Sequence, residues 1–383
     1  MSTNGNAVNY IMAEHGHNRL FKLSPPPSLD AFKKLCSQKV TKQDYPLAAD
    51  IKENVPVYNL SNFSTLTENQ KSALQGEWYK ILLYGPGVFV TAGLYTNLDV
   101  INKSTAAFNN IIKRESQGTK TTGDHFASAG KNDRIWNSFS KHGLQDPDSF
   151  FNYFRIPTST SSSLHGLVQG IASLLKSTTS GLEGSLKYPR AMQVASQCLT
   201  LQGAIAHVDV PLESGPTRLL PFSQAFAPGY MAYHLPEFNE FFLDNYISLQ
   251  LKKGDGLWFN PALFHAAGEN KSVDINRLVN LVQISSAFGK PMETIDALPL
   301  VESTWDVLTA AYREQGLSDE VQMFIAAIGE GYPFPTNLDN NPPRNENMAP
   351  DSEQDIIRVA LVNGKSREEV LADLEGFRLR VRA

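Results

Sequence analysis

Two kinds of hydrophobic period divide this chain. From about Thr65 to Leu83 apolar residues return at the spacing of an amphipathic helix, and Thr67 and Gln70 stand as a capping box would. Gly85-Pro86-Gly87 ends that run, and Val88-Phe89-Val90 follows as a short strand. A second helix is expected over about Leu98 to Arg114. The stretch from Gly123 to Phe139 has no clean period and reads as a loop leading into a helix near Trp136. Residues 191–230 and 247–285 alternate apolar with small or polar residues in short runs broken by Gly and Pro. Closely spaced short strands of this kind predict an antiparallel sandwich or barrel.

After about Glu302 the helical period returns, from Thr304 to Gln315 and from Ser318 to Ile328, each with a glycine beyond its end. Residues 332–350 are rich in Pro and Asn and predict irregular backbone. Two further helices close the chain, with Ser352 and Ser366 at N-cap positions and Glu369 completing a capping box with Ser366. The expected organisation is an extended arm over residues 1–30, ending in Ser24-Pro25-Pro26-Pro27-Ser28, a mixed domain over 31–300, and a helical extension over 301–383. No internal repeat is visible.

Composition narrows the function classes. The 383 residues are 42% hydrophobic and 19% charged, a soluble globular balance, and the net charge of −5 gives no global footprint for nucleic acid. Two cysteines, Cys36 and Cys198, stand far apart in no metal-like spacing, so reduced thiols are expected. The first residues lack a basic and an apolar region, and no run approaches the ~18 apolar residues of a membrane span. The expectation is a cytoplasmic protein with neither a nucleic-acid nor a membrane partner.

The candidate chemistry lies in Gly203-Ala-Ile-Ala-His-Val-Asp-Val-Pro211. On a strand, residues two apart share a face, so His207 and Asp209 would project together. One imidazole and one carboxylate can take adjacent positions on an octahedral metal, and one further histidine completes a two-His, one-carboxylate set with open sites. A buried, hydrogen-bonded His–Asp pair is the simpler alternative. Downstream come Glu213-Ser-Gly-Pro-Thr-Arg-Leu-Leu-Pro-Phe-Ser223 and then Lys253-Gly-Asp-Gly-Leu-Trp-Phe-Asn-Pro-Ala-Leu-Phe-His265. Beyond them Ala266-Ala-Gly-Glu-Asn-Lys-Ser272 leads to Arg277 and an apolar strand.

As an ordered set these motifs resemble the phytanoyl-CoA dioxygenase-like superfamily of Fe(II)/2-oxoglutarate oxygenases, most strongly over residues 190–285. The resemblance implies an α+β fold with a double-stranded β-helix (jelly-roll, cupin-like) core flanked by N- and C-terminal helices. It implies that His207, Asp209 and His265 are the iron ligands and the catalytic centre. It also implies that 2-oxoglutarate and dioxygen are co-substrates, and that Arg277 grips the far carboxylate of 2-oxoglutarate. A planar guanidinium suits that bidentate task better than Lys, while a surface ion pair is the alternative role for Arg277. Its distance from His265 is one residue longer than the family's commonest pattern. A second contact to 2-oxoglutarate is expected upstream of the His-x-Asp, from Gln193, Gln197 or Gln202, with Gln193 preferred.

Alternation in the strand after Arg277 puts Arg277, Val279, Leu281 and Gln283 on one face. Arg218 could approach the metal region or face solvent. His125 and Trp136 are candidates for a substrate wall or for an ordinary loop and core, and residues 115–135 for a lid. His15, His17, His142, His165 and His234 carry no usable pattern. The expected product is an oxidised small biosynthetic intermediate, by hydroxylation, desaturation or ring formation, and the C-terminal helices could join two copies. The rival readings are a metal-dependent oxidase, isomerase or lyase of the same fold without 2-oxoglutarate, and a binding protein that has lost its chemistry.

Overall fold

A computed structural model describes residues 19–116, 135–155, 186–286, 293–332, 336–344 and 349–382. The chain divides into two compact units, Met1–Leu94 with Leu164–Gly289, and Tyr95–Ser163 with Lys290–Ala383.

Unit 1 is built on a six-stranded, mostly antiparallel sheet. Its strands are β1 (Asp50–Lys52), β2 (Val55–Asn59), β3 (Val88–Ala92), β4 (Thr200–Ala206), β6 (Gly256–Phe259) and β8 (Val279–Ser285), in the order β1-β2-β3-β6-β4-β8. Only the β2–β3 pair is parallel. Glu53 and Asn54 turn the β1–β2 hairpin with φ of 47° and 65°, as a two-residue hairpin loop requires. A second, two-stranded sheet pairs β5 (Arg218–Leu219) with β7 (His265–Ala266), and isolated bridges add Val210 to Leu251 and Leu219 to Ile247.

The pleat separates two faces. Val55, Val57, Val88, Val90, Ala204, Ala206, Leu257 and Phe259 turn one way and pack with Val210, Leu219, Leu249, Leu251 and Leu263 of the shorter strands and loops. The opposite face carries Tyr58, Phe89 and Trp258, and there Trp78 stacks on Phe89 at 5.3 Å. Trp78 belongs to α2 (Glu68–Tyr84), which follows α1 (Leu29–Cys36) and starts at the expected Thr67–Gln70 capping box. The middle of the sheet is thus covered on both sides, which is why β2, β3 and β6 read as nearly continuous apolar runs. Residues 191–230 hold less strand than the alternation suggests: α6 (Arg190–Ser196), the start of α7 (Gly229–Ala232) and short 3-10 turns take much of it, and α8 (Pro236–Asn245) follows.

Unit 2 is helical: α3 (Leu98–Ser116), α4 (Ser138–Gln145), α5 (Pro147–Phe154), α9 (Ala297–Gln315), α10 (Asp319–Ile328), α11 (Glu353–Val362) and α12 (Arg367–Arg380). Phe150, Trp305, Phe324, Ile357 and Leu374 centre its core. The helix α9 starts well before Glu302, because Asp296 caps Leu298 and Pro299 sits within the first turn, where its missing N–H costs nothing. Ser318, Ser352 and Ser366 are N-caps, the last two within capping boxes. Among the described residues no helix is long and apolar enough to cross a membrane.

His142 is fully buried in this unit. Its Nε2 lies 3.1 Å from Ser149 Oγ, and its ring meets Phe108 at 4.9 Å and Phe150 at 5.5 Å. Burial pushes its pKa down from 6.5 to about 4, with Asp146 opposing weakly. A depressed folded-state pKa means that the unfolded chain binds the proton first. Stability is therefore expected to fall as pH drops from 6.5 towards 4, by roughly 3 kcal/mol at most. Urea titrations of His142→Phe across that window should show a flatter pH dependence than the wild type, and an unchanged slope would exclude His142 as its source.

Candidate active site

Strand β4 runs into the His-x-Asp. Its last residue, Ala206, pairs with Val279, and His207 N–H then donates to the Leu278 carbonyl at 3.0 Å. The strand ends at Ala206, so His207 and Asp209 lie in the bend beyond it and strict alternation no longer governs them. There the chain leaves the large sheet, and Val210 pairs with Leu251 in the opposite layer. His207 is 1% exposed, whereas Asp209 is exposed and accepts the Lys253 N–H at 2.8 Å.

His265 stands in β7 opposite Leu219. Its Nδ1 lies 2.6 Å from the Leu263 carbonyl, and since a carbonyl only accepts, Nδ1 holds the proton and Nε2 carries the lone pair. Its ring packs at 4.8 Å from Phe259. Although the residue is open on one side, the surrounding protein lowers its pKa, and the bond to Leu263 opposes that shift. The lowered pKa favours the neutral imidazole that a metal needs, and the bond to Leu263 fixes its tautomer.

Among the described residues no three His, Cys, Asp or Glu side chains gather into a group that could hold a metal ion. The structure therefore does not bring His207, Asp209 and His265 together as a finished ligand set. The donor chemistry does suit a metal: two imidazoles, one with its tautomer set by a backbone carbonyl as ligating histidines usually are, and one carboxylate.

Arg277 precedes β8 and is half-buried. Its Nη1 donates to the Ser214 and Gly268 carbonyls, each at 3.3 Å, and it makes no ion pair with a described carboxylate. Loss of water around it lowers its pKa, a sign of a cation short of counter-charge. The loops that hold it touch closely. A Cβ on Gly268 would lie 2.2 Å from the Pro216 carbonyl oxygen, and Gly215 turns with φ of 73°.

Cross-strand register places Val279, Leu281 and Gln283 opposite Ala206, Ala204 and Gln202, on the face of the apolar core. Phe259 pairs with Gln202 on the other side, so Gln202 sits between Gln283 and the aromatic ring that His265 packs on. Its Oε1 is buried without a hydrogen-bond partner among the described residues. Leu281, on this same face, stays 60% exposed. Gln193 lies in α6 and not on a strand; it is buried and its Nε2 donates to the Tyr188 carbonyl at 3.2 Å. Gln197 caps the end of that helix. Arg218 lies over the Tyr246 ring at 5.0 Å. Trp136 is exposed in the turn before α4, and His125 lies outside the described residues, as do 117–134 of the expected lid.

Residues 90–278 match the family model of phytanoyl-CoA dioxygenase (PhyH), a segment that holds every residue of this site up to Arg277. That segment is phytanoyl-CoA dioxygenase-like. No curated protein matches the chain in sequence. Three solved structures with similar folding can be named. The putative oxidoreductase from Salmonella typhimurium LT2 is 14% identical over 67% of this chain and 79% of that one, with a TM-score of 0.43. The non-heme alpha ketoglutarate dependent carbocyclase SnoK from nogalamycin biosynthesis is 15% identical over 58% and 85%, at 0.37. The GlcNAc Inducible Gene 2 product from Candida albicans is 12% identical over 91% and 94%, at 0.41. The dioxygenase-like segment agrees with the resemblance carried by His207, Asp209, His265 and Arg277, and it supports an oxygenase.

Proposed function

We propose that the phytanoyl-CoA dioxygenase-like segment is an Fe(II)- and 2-oxoglutarate-dependent oxygenase of a small organic molecule. The observation that carries the reading is Arg277, a half-buried guanidinium with two carbonyl contacts and no carboxylate partner among the described residues. A desolvated cation of that kind favours a carboxylate ligand, and the fork of Arg binds one bidentately. In this reading His207, Asp209 and His265 hold the iron, and the two layers of unit 1 form a jelly-roll core around it. The iron, with 2-oxoglutarate as co-substrate, supplies the activation of dioxygen.

The chain's own residues bind and orient. Leu263 fixes the His265 tautomer, Ser214 and Gly268 aim Arg277, and Gln202 offers a polar atom on the same face as Gln283. Through its amide Nε2, the donor that the acceptor oxygens of 2-oxoglutarate require, Gln202 joins Gln193 as a contact to 2-oxoglutarate. Phe259, Ala204 and Leu281 give that face an apolar wall suited to the hydrocarbon part of a substrate. A biosynthetic intermediate undergoing hydroxylation, desaturation or ring closure fits such a wall.

Anaerobic addition of Fe(II) and then 2-oxoglutarate to the apoprotein is expected to give a visible charge-transfer band, absent in His207→Ala. Arg277→Ala should keep Fe(II) affinity and lose at least about thirtyfold in 2-oxoglutarate affinity, the cost of removing one half of a buried charge pair. Apoprotein that takes up no Fe(II) would sink the reading. Full turnover without succinate in Arg277→Ala would favour an iron enzyme that does not use 2-oxoglutarate.

A further inference from the structure

Unit 2 contains a cavity of about 180 Å³ that none of the oxygenase chemistry uses. The turn that carries Asn341 and Arg344 forms one wall, and Ile356 of α11 with Phe377 and Arg380 of α12 forms the other. The turn is firmly built. Asn337 takes φ of 51°, its carbonyl accepts the Asn341 N–H at 2.8 Å, and its Nδ2 donates to the carbonyls of Arg380 and Arg382 at 3.0 and 2.7 Å. Those two bonds also answer part of the negative end of α12, which would otherwise oppose an anion there.

The polar groups of the cavity are unbalanced. Asn341 is only 6% exposed, yet its Nδ2 has no hydrogen-bond partner among the described residues. A buried amide donor left alone costs about 1–3 kcal/mol, so it is a place where an acceptor gains most. Arg344 is neutralised by Asp351, Nε to Oδ2 at 3.2 Å, while the Arg380 guanidinium has no ion-pair partner among the described residues. Two guanidinium groups against one carboxylate leave a positive balance beside an orphan donor. The remaining walls, Phe377, Ile356 and the prolines after Asn341, are apolar.

We propose that this cavity binds a small organic monocarboxylate. Its carboxylate is held by Arg380 and Asn341 Nδ2, and its apolar body lies on Phe377 and Ile356. One uncompensated cation and one amide donor match a single carboxylate, and the apolar wall sets it apart from a site for an inorganic anion. The inference stands apart from the oxygenase reading, because every residue it uses lies in unit 2 and none of them is proposed to meet the iron or its co-substrate.

Calorimetric titration of the full chain with benzoate tests it, with benzamide as the neutral isostere and inorganic phosphate as the purely polar anion. Saturable benzoate binding is expected, weakened at least about tenfold in Arg380→Gln and unchanged in Arg277→Ala. Arg380 is exposed, so its replacement leaves the core of α12 intact, and Asn341→Asp gives a second variant in which a repelling carboxylate replaces the donor. Benzamide and phosphate should each bind at least about tenfold more weakly than benzoate. Absence of saturable benzoate binding, equal binding by Arg380→Gln, or loss of it in Arg277→Ala would overturn the proposal. Equal binding of benzamide would remove the carboxylate from it, and equal binding of phosphate the apolar body.

Discussion

Gly203→Val is expected to unfold unit 1 at denaturant concentrations where the wild type is native. Gly203 pairs with Trp258 across the β4–β6 ladder, and a Cβ there would sit 2.5 Å from Trp258 Cε3 and 2.6 Å from Cζ3. The indole cannot swing away cheaply. It is 4% exposed, and its Nε1–H donates to Thr91 Oγ1 at 2.9 Å. Forcing it aside combines overpacking with the loss of a buried hydrogen bond, together about 3 kcal/mol or more. Urea denaturation followed by tryptophan fluorescence measures the loss, and Trp258→Leu in the same background should restore part of it. A midpoint equivalent to within about 0.5 kcal/mol of wild type would show that the sheet tolerates the branch.

The second large effect is expected from Gly268→Ala, on ligand binding. The new Cβ would lie 2.2 Å from the Pro216 oxygen and 2.6 Å from the Gly215 oxygen. Both obstacles are backbone, so no rotamer relieves them. The turn over 213–216 must move relative to the strand that carries His265, although Lys271 and Ser272 N–H groups tie it down through the Glu213 carbonyl. The two carbonyls that aim Arg277 belong to these same loops. A displacement near 1 Å at an orienting group costs on the order of a hundredfold in catalysis. Spectral titration should show weakened 2-oxoglutarate binding in Gly268→Ala with Fe(II) binding less affected. Wild-type affinity for 2-oxoglutarate would separate the glycine from the aim of Arg277.

Much of this protein was legible in one dimension because its signals are local. The Thr67–Gln70 and Ser366–Glu369 capping boxes form as their spacing predicts, since a cap needs only its own first turn. The face shared by Val279, Leu281 and Gln283 follows from the two-residue period alone. The structure starts α9 at Ala297, ahead of the expected return of the helical period near Glu302, because Pro299 is accommodated in the first turn. The strand alternation drawn through His207 and Asp209 does not hold. The chain changes layers there, and the pleat stops where the ladder does.

Sequence alone determined the residue types and order of the dioxygenase-like motifs, the helix boundaries set by caps, and the apolar faces of the strands. All of these depend on neighbours a few positions away. Only the tertiary structure decided that Leu263 sets the tautomer of His265, and that Arg277 is answered by two carbonyls and by no described carboxylate. It alone placed Gln202, rather than Gln193, on the core-facing side of a strand. It also joined the helices of residues 98–154 to those after 296 in one core. These are relations between groups distant in sequence, created when burial removes water and each polar atom must find a partner in the fold.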